Sequence, residues 1–178
     1  FDYKVCRPLA HTAGHAESAC EAAVKYWAHV HEWTEEYNQG RERIFEQISL
    51  TLRGMDSGSD GFSEWAELNI GTRLPLGMGV PEIQTAMSMV SGYEGGQDPG
   101  SLTMLVGVPA YRSGKNNALV RAFLKSIRAF GGKPGFSLKT GTSDMNIVGP
   151  AWGCPIVAYG PGDSSLDHTP DEHIHVSE

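Results

Sequence analysis

Residues 48–73, ISLTLRGMDSGSDGFSEWAELNIGTR, decide the fold. Ile48, Leu50 and Leu52 alternate with Gln47, Ser49, Thr51 and Arg53. Ala66, Leu68, Ile70 and Thr72 alternate with Glu67, Asn69, Gly71 and Arg73. Side chains along a strand point to opposite faces in turn, so each run predicts a strand buried on one side. Between them, Asp56-Ser57-Gly58-Ser59-Asp60-Gly61 is a cluster of turn-forming residues. The stretch therefore reads as one long hairpin.

Working outward, Phe1, Tyr3 and Val5 alternate with polar partners and predict a strand that Pro8 ends. Ser18 with Glu21 three residues later has the capping-box spacing. Ala19, Ala23, Tyr26, Trp27, Val30, Trp33 and Tyr37 then recur at three and four. This predicts an amphipathic helix closing near Asn38-Gln39-Gly40, its aromatic residues packing inward. Pro81 suits the first turn of a second helix that continues through Ile83, Ala86, Met87 and Val90. A glycine-rich loop follows at 93–100, then a strand over Leu102–Val108. Residues 1–109 thus read β-α-β-β-α-β, the order of a ferredoxin-like sandwich. From 110 the character changes. Leu119, Val120, Phe123, Leu124, Ile127 and Phe130 predict a third helix stopped by Gly131-Gly132. Short strands are expected at Phe136–Leu138 and Ile156–Tyr159. The apolar run at 156–159 suggests a sheet buried on both faces, so residues 110–178 look like part of an α/β domain. The fold class is α+β overall.

The formal net charge of −7 disfavours a phosphate-backbone binder, and no apolar run reaches the length of a membrane span. The outward positions of the strand at 66–73, Glu67, Asn69, Gly71 and Arg73, lack the aromatic and basic residues of an RNA-binding sheet. Cys6, Cys20 and Cys154 are odd in number and share no CxxC spacing. They read as buried free thiols in a reducing cytoplasm rather than as disulfides or a thiolate metal site.

Four groups of residues carry possible chemistry. The loop Lys139-Thr140-Gly141-Thr142-Ser143-Asp144-Met145-Asn146 either holds a carboxylate or carbonyl oxygen or simply caps a helix through Thr142 or Ser143. His168 lies among Asp163, Asp167, Asp171 and Glu172. Such a cluster suits a borderline metal, or forms a solvated turn into a final helix capped by Thr169. His173 and His175 read as surface residues of that helix. His11, between small residues, either approaches a ligand or is an ordinary loop histidine. Asn69 and Arg73 share a strand face, where they either bind a substrate carboxylate or make a polar exterior.

Gly141-Thr142-Ser143-Asp144 before Asn146, Gly160-Pro161-Gly162-Asp163, and Asp167-His168-Thr169-Pro170-Asp171-Glu172 resemble the C-terminal motifs of M20-type metallopeptidases. Lys139–Asn146 with Tyr159–Glu172 resembles the branch of acetyl-lysine and acetyl-ornithine deacetylases, which acts in the carrier-protein route of lysine and arginine biosynthesis. Ala10-His11-Thr12-Ala13 and Thr72-Arg73-Leu74-Pro75 extend the likeness. The resemblance implies a ferredoxin-like lid and dimerisation domain over 1–109. It implies a C-terminal part of a zinc-peptidase-like catalytic domain over 110–178. It also implies a cytoplasmic homodimer that hydrolyses an N-acyl amide of lysine or ornithine, acetyl or carrier-linked, with two divalent metals, zinc or cobalt. By the same resemblance His168 is a metal ligand and His11 polarises the scissile carbonyl in the partner subunit's site. Arg73, Thr142, Ser143 and Asn146 match positions near the amino-acid end of the substrate, and Asn69 and Lys139 are further candidates to bind it.

The family's His-x-Asp strand end, Glu-Glu pair and further acidic ligand are not among these residues, and His29-Val30-His31 sits inside the first helix. Both chain ends look cut. The expectation is a chain that alone is inactive and binds metal weakly. The competing reading is a non-catalytic ferredoxin-like dimerisation module.

Overall fold

The structure is a computed structural model that describes residues 1–11, 13–90, 100–163 and 165–176. It is α+β, with four strands and four α-helices among the described residues. Two compact units form: Phe1–Arg112 with Leu138–Thr142, and Ser113–Ser137 with Ser143–Glu178.

The first unit is built on β1 (Asp2–Pro8), α1 (Ala19–Asn38), β2 (Ser49–Ser59), β3 (Ser63–Arg73), α2 (Val80–Val90) and β4 (Ser101–Thr103). All strand pairs are antiparallel, in the order β2-β3-β1-β4. The hairpin is longer and tighter than its turn cluster suggests, since β2 runs through Ser59. The Asp60 carboxylate accepts the Phe62 and Ser63 amides at 2.9 and 2.7 Å. These bonds hold the carboxyl below its ordinary range and turn the chain within three residues.

One face of this sheet is apolar. Tyr3, Val5, Ala66, Leu68 and Ile70 are buried there together with Ala23, Tyr26 and Val30 of α1 and Ile83 and Met87 of α2. Tyr26 stacks on Tyr3 with centroids 3.6 Å apart, and its hydroxyl donates to the Met87 carbonyl at 3.3 Å. Burial, with the nearby Tyr3, drives the Tyr26 phenol to a higher pKa. The capping box at Ser18 and Glu21 is complete, with the Glu21 amide donating to Ser18 Oγ at 3.2 Å and the Ser18 amide donating to Glu21 Oε2 at 2.8 Å. Trp27, Trp33 and Tyr37 pack against the rim of the core.

Two expectations change. β4 covers only Ser101–Thr103, not Leu102–Val108. It runs antiparallel to β1 and meets Asp2 at Thr103, where β1 begins, so Met104 onward has no strand to pair with. Cys6, Cys20 and Cys154 are free but exposed rather than buried. Cys6 sits on the polar side of β1, opposite Trp65 of β3. Most of the glycine-rich loop lies outside the described residues. At its end, Gly100 has φ +83°, and a Cβ there would lie 2.7 Å from the Tyr3 hydroxyl, so the tight approach to β1 requires glycine.

The second unit holds α3 (Ala118–Ala129) and α4 (Met145–Trp152). Asn117 caps α3 by accepting the Val120 amide at 2.9 Å. Phe123 packs on Tyr159, centroids 5.4 Å apart. The strands expected at Phe136–Leu138 and Ile156–Tyr159 do not form, nor does the helix expected after Thr169. An isolated extended segment leaves its backbone groups without a ladder, and among the described residues of this unit no neighbouring strand supplies one. Thr169 Oγ1 donates back to the Leu166 carbonyl at 2.8 Å instead of capping a helix.

Candidate functional site

The polar side of β3 carries Glu67, Asn69 and Arg73, because Ala66, Leu68 and Ile70 take the buried side. Asn69 and Arg73 are four residues apart, about 13 Å along a strand, so one small carboxylate cannot bridge their Cα positions. Asn69 Nδ2 donates to the Asp2 carboxylate at 2.7 Å across the β1–β3 pair. Arg73 instead reaches the loop: its guanidinium donates to the Thr140 carbonyl at 2.6 Å. This bond joins β3 to Leu138–Thr142, which belong to the same unit. Arg73 is exposed, and one guanidinium in that position has further N–H donors in a fixed plane suited to an oxyanion. Gly71 between the two lets the Arg53 side chain cross, since a Cβ at Gly71 would lie 2.9 Å from Arg53 Cδ.

The remaining candidates lie apart from this pair in the chain. His11 is exposed, and its Nδ1 accepts the Ala13 amide at 3.1 Å while its carbonyl accepts the Gly14 amide at 2.7 Å. The turn thereby leaves Nε2 as the nitrogen available to a ligand. Thr12 lies outside the described residues. Lys139 and Thr142 belong to the first unit, whereas Ser143 and Asn146 belong to the second. Ser143 and Asn146 bind each other, the Ser143 amide donating to Asn146 Oδ1 at 3.1 Å and the Asn146 amide to the Ser143 carbonyl at 2.9 Å. The loop does lead into a helix, α4, but its cap is Asp144, whose side chain makes no capping bond.

His168 adopts φ 64°, a left-handed conformation costly for a side chain with a Cβ. Its amide donates to Glu172 Oε2 at 2.8 Å, which ties the turn across the motif. The Asp163 carboxylate accepts the Ser165 amide and hydroxyl at 2.9 and 2.8 Å. Those two bonds, the amide first, hold its carboxyl below the ordinary range. Two of the acidic residues around His168, Asp163 and Glu172, are thus spent on backbone turns. Among the described residues no three His, Cys, Asp or Glu side chains come together as a metal site. These residues do not by themselves make up the two-metal centre that the resemblance implies.

The first unit also contains a cavity of about 410 Å³ that the sequence reading gave no role. Its walls include Tyr37 of α1, Arg41 and Arg43 just after that helix, Phe45, and Arg112. The signal for it was Arg41-Glu42-Arg43, a short basic cluster directly after a helix end.

No family model matches the chain. Individual relatives do. It is 39% identical over 171 residues to the LysW-lysine hydrolase of Deinococcus radiodurans, covering 94% of this chain and 46% of that protein. It is 40% identical over 134 residues to a Thermococcus kodakarensis protein provisionally named a LysW-lysine/LysW-ornithine hydrolase, covering 75% of this chain and 34% of that protein. The LysW-lysine/LysW-ornithine hydrolase of Sulfurisphaera tokodaii is 44% identical over 63 residues, 35% of this chain and 18% of its own length. The chain spans less than half the length of each of these relatives, and along nearly all of its own length it is similar to a LysW-lysine hydrolase.

Proposed function

We propose that these residues belong to an amide hydrolase that releases lysine or ornithine from a derivative linked to the carrier LysW, in amino-acid biosynthesis. The observation that carries this reading is the 39% identity over 171 residues to the Deinococcus radiodurans hydrolase. In such a reaction water adds across the amide, the C–N bond breaks, and a carboxylic acid and the free amino acid leave. Within this chain, Arg73 is the best-placed group to hold a substrate carboxylate, since Thr140 fixes its guanidinium without neutralising it. His11 and His168 take the roles that the M20 resemblance gives them. His168 then supplies one metal ligand, the others coming from outside these residues.

The same reading makes residues 1–109 a ferredoxin-like lid, which the strand order β2-β3-β1-β4 supports. It makes residues 110–178 part of the catalytic domain of a cytoplasmic enzyme. β2 is an edge strand of eleven residues, and a second copy could pair with it about a two-fold axis. Light scattering at the mass of two chains supports that pairing, and a strictly monomeric mass at high concentration contradicts it.

The test of the function is release of free amino acid, by amino-acid analysis, from LysW-lysine and LysW-ornithine by the protein that contains these residues. Arg73→Ala is expected to raise KM at least tenfold, the worth of about one charge-assisted hydrogen bond. Unchanged kinetics in that variant would remove Arg73 from the site. Failure of the unsubstituted protein on both substrates would remove the function.

A further inference from the structure

We propose that the cavity beyond the C-terminal end of α1 binds a small organic anion: a carboxylate or phosphate carried on an apolar body. The chain as a whole is acidic, with 21 Asp and Glu against 14 Lys and Arg, yet the cavity wall reverses that balance with three arginines and one glutamate. The three guanidinium groups are not equivalent. Arg41 lies over the Tyr37 ring at 3.9 Å and donates to the Tyr37 carbonyl, so its position is fixed. Arg43 pairs with Glu46 at 3.7 Å, but both side chains are more than half exposed, and such a pair is easily exchanged for a better acceptor. Arg112 has no hydrogen-bond or ion-pair partner among the described residues. A planar fork of N–H donors matches an oxyanion, and two or three around one cavity favour a charged ligand over a neutral one.

The rest of the wall is apolar: Phe45, Pro75, Leu76 and Leu138. A volume of about 410 Å³ falls in the range of small-molecule sites, where an apolar lining holds the body and a few polar groups orient it. Pro75 and Leu76 closely follow Arg73, and Leu138 closely precedes Thr140. The cavity therefore shares its wall with the two segments that the Arg73–Thr140 hydrogen bond joins.

Titration of the whole chain with phenyl phosphate, benzoate and neutral benzamide, followed by calorimetry and by chemical shifts, tests the site without any turnover. A failed hydrolase assay leaves its result standing. At least one anion is expected to bind at submillimolar concentration, more weakly as salt rises, with benzamide at least tenfold weaker. The tighter of the two anions assigns phosphate or carboxylate. Arg112→Gln and Arg43→Gln, both exposed positions whose melting temperatures should not move, are each expected to weaken that anion at least fivefold. Benzamide binding equally well, anion binding indifferent to both substitutions, or no binding of either anion overturns the proposal.

Discussion

Asn38, the last residue of α1, takes the place of a strand partner for the first residue before β2. Its Nδ2 donates to the Ile48 carbonyl at 2.8 Å, and its Oδ1 accepts the Ile48 amide at 2.9 Å. Ile48 is 2% exposed, so neither backbone group has water as an alternative. Asn38→Ala deletes both bonds. Each nets about 1 kcal/mol, and stranding two buried backbone groups adds desolvation, so the expected loss is about 2–4 kcal/mol. At about 4 °C per kcal/mol for a unit of this size, the melting temperature falls by about 8–16 °C. Asn38→Asp separates the two bonds. Its carboxylate keeps the acceptor but faces the Ile48 carbonyl without a proton to give. Only the protonated acid restores the donor, so folding raises the pKa of the new carboxyl, and the variant gains stability relative to wild type as pH falls through that pKa. Urea melts followed by circular dichroism at pH 7 and pH 4 measure both variants. A loss below 0.5 kcal/mol for Asn38→Ala, or an Asp variant with no pH-dependent recovery, would refute the assignment of these bonds as the clamp between α1 and β2.

Two further outcomes follow from the same reasoning. Hydrogen bonds from the Ser18 amide and hydroxyl hold the Glu21 carboxyl below its ordinary range, so its contribution is present above the unfolded value of 4.5 and is lost as pH falls through the lower folded value. Ser18→Ala should cost about 1 kcal/mol near neutrality, raise the Glu21 pKa in an NMR titration, and differ less from wild type at pH 3; an unmoved Glu21 titration would contradict the capping box. Calorimetric titration of the 178-residue chain with Zn²⁺ should give weak binding only, because Asp163 and Glu172 near His168 are bound to backbone amides and no three ligating side chains converge among the described residues; a tight stoichiometric site for two ions would overturn that expectation.

The hairpin, α1 with its capping box, α2 and the apolar side of the sheet were all legible in the sequence. In each, one periodic apolar face meets another within the same unit: Leu68 and Ile70 of β3 lie in one core with Tyr26, Val30 and Met87. After 104, α3 was legible from the spacing of Leu119, Val120, Phe123, Leu124 and Ile127, but the strands expected there do not form. Runs such as 104–108, 136–138 and 156–159 are apolar enough to be strands, yet strand formation depends on a neighbouring backbone that a local pattern does not reveal. The site divides along the same line. Arg73 was legible as an outward residue by its period of two, but its partner, the carbonyl of Thr140, is 67 residues away and carries no side-chain signal. The Asp and His residues near His168 have the composition of a metal site, while the geometry spends Asp163 and Glu172 on the amides of Ser165 and His168. Composition does not distinguish a carboxylate that binds a metal from one that holds a turn.

The activity proposed for the protein that contains this chain is cleavage of a carrier-linked amide. Incubation with LysW-lysine, LysW-ornithine and the corresponding free N-acetyl amino acids, with quantification of the amino acid released, tests it most directly. Lysine or ornithine should be released from the carrier-linked derivatives. No release from either carrier-linked substrate would contradict it.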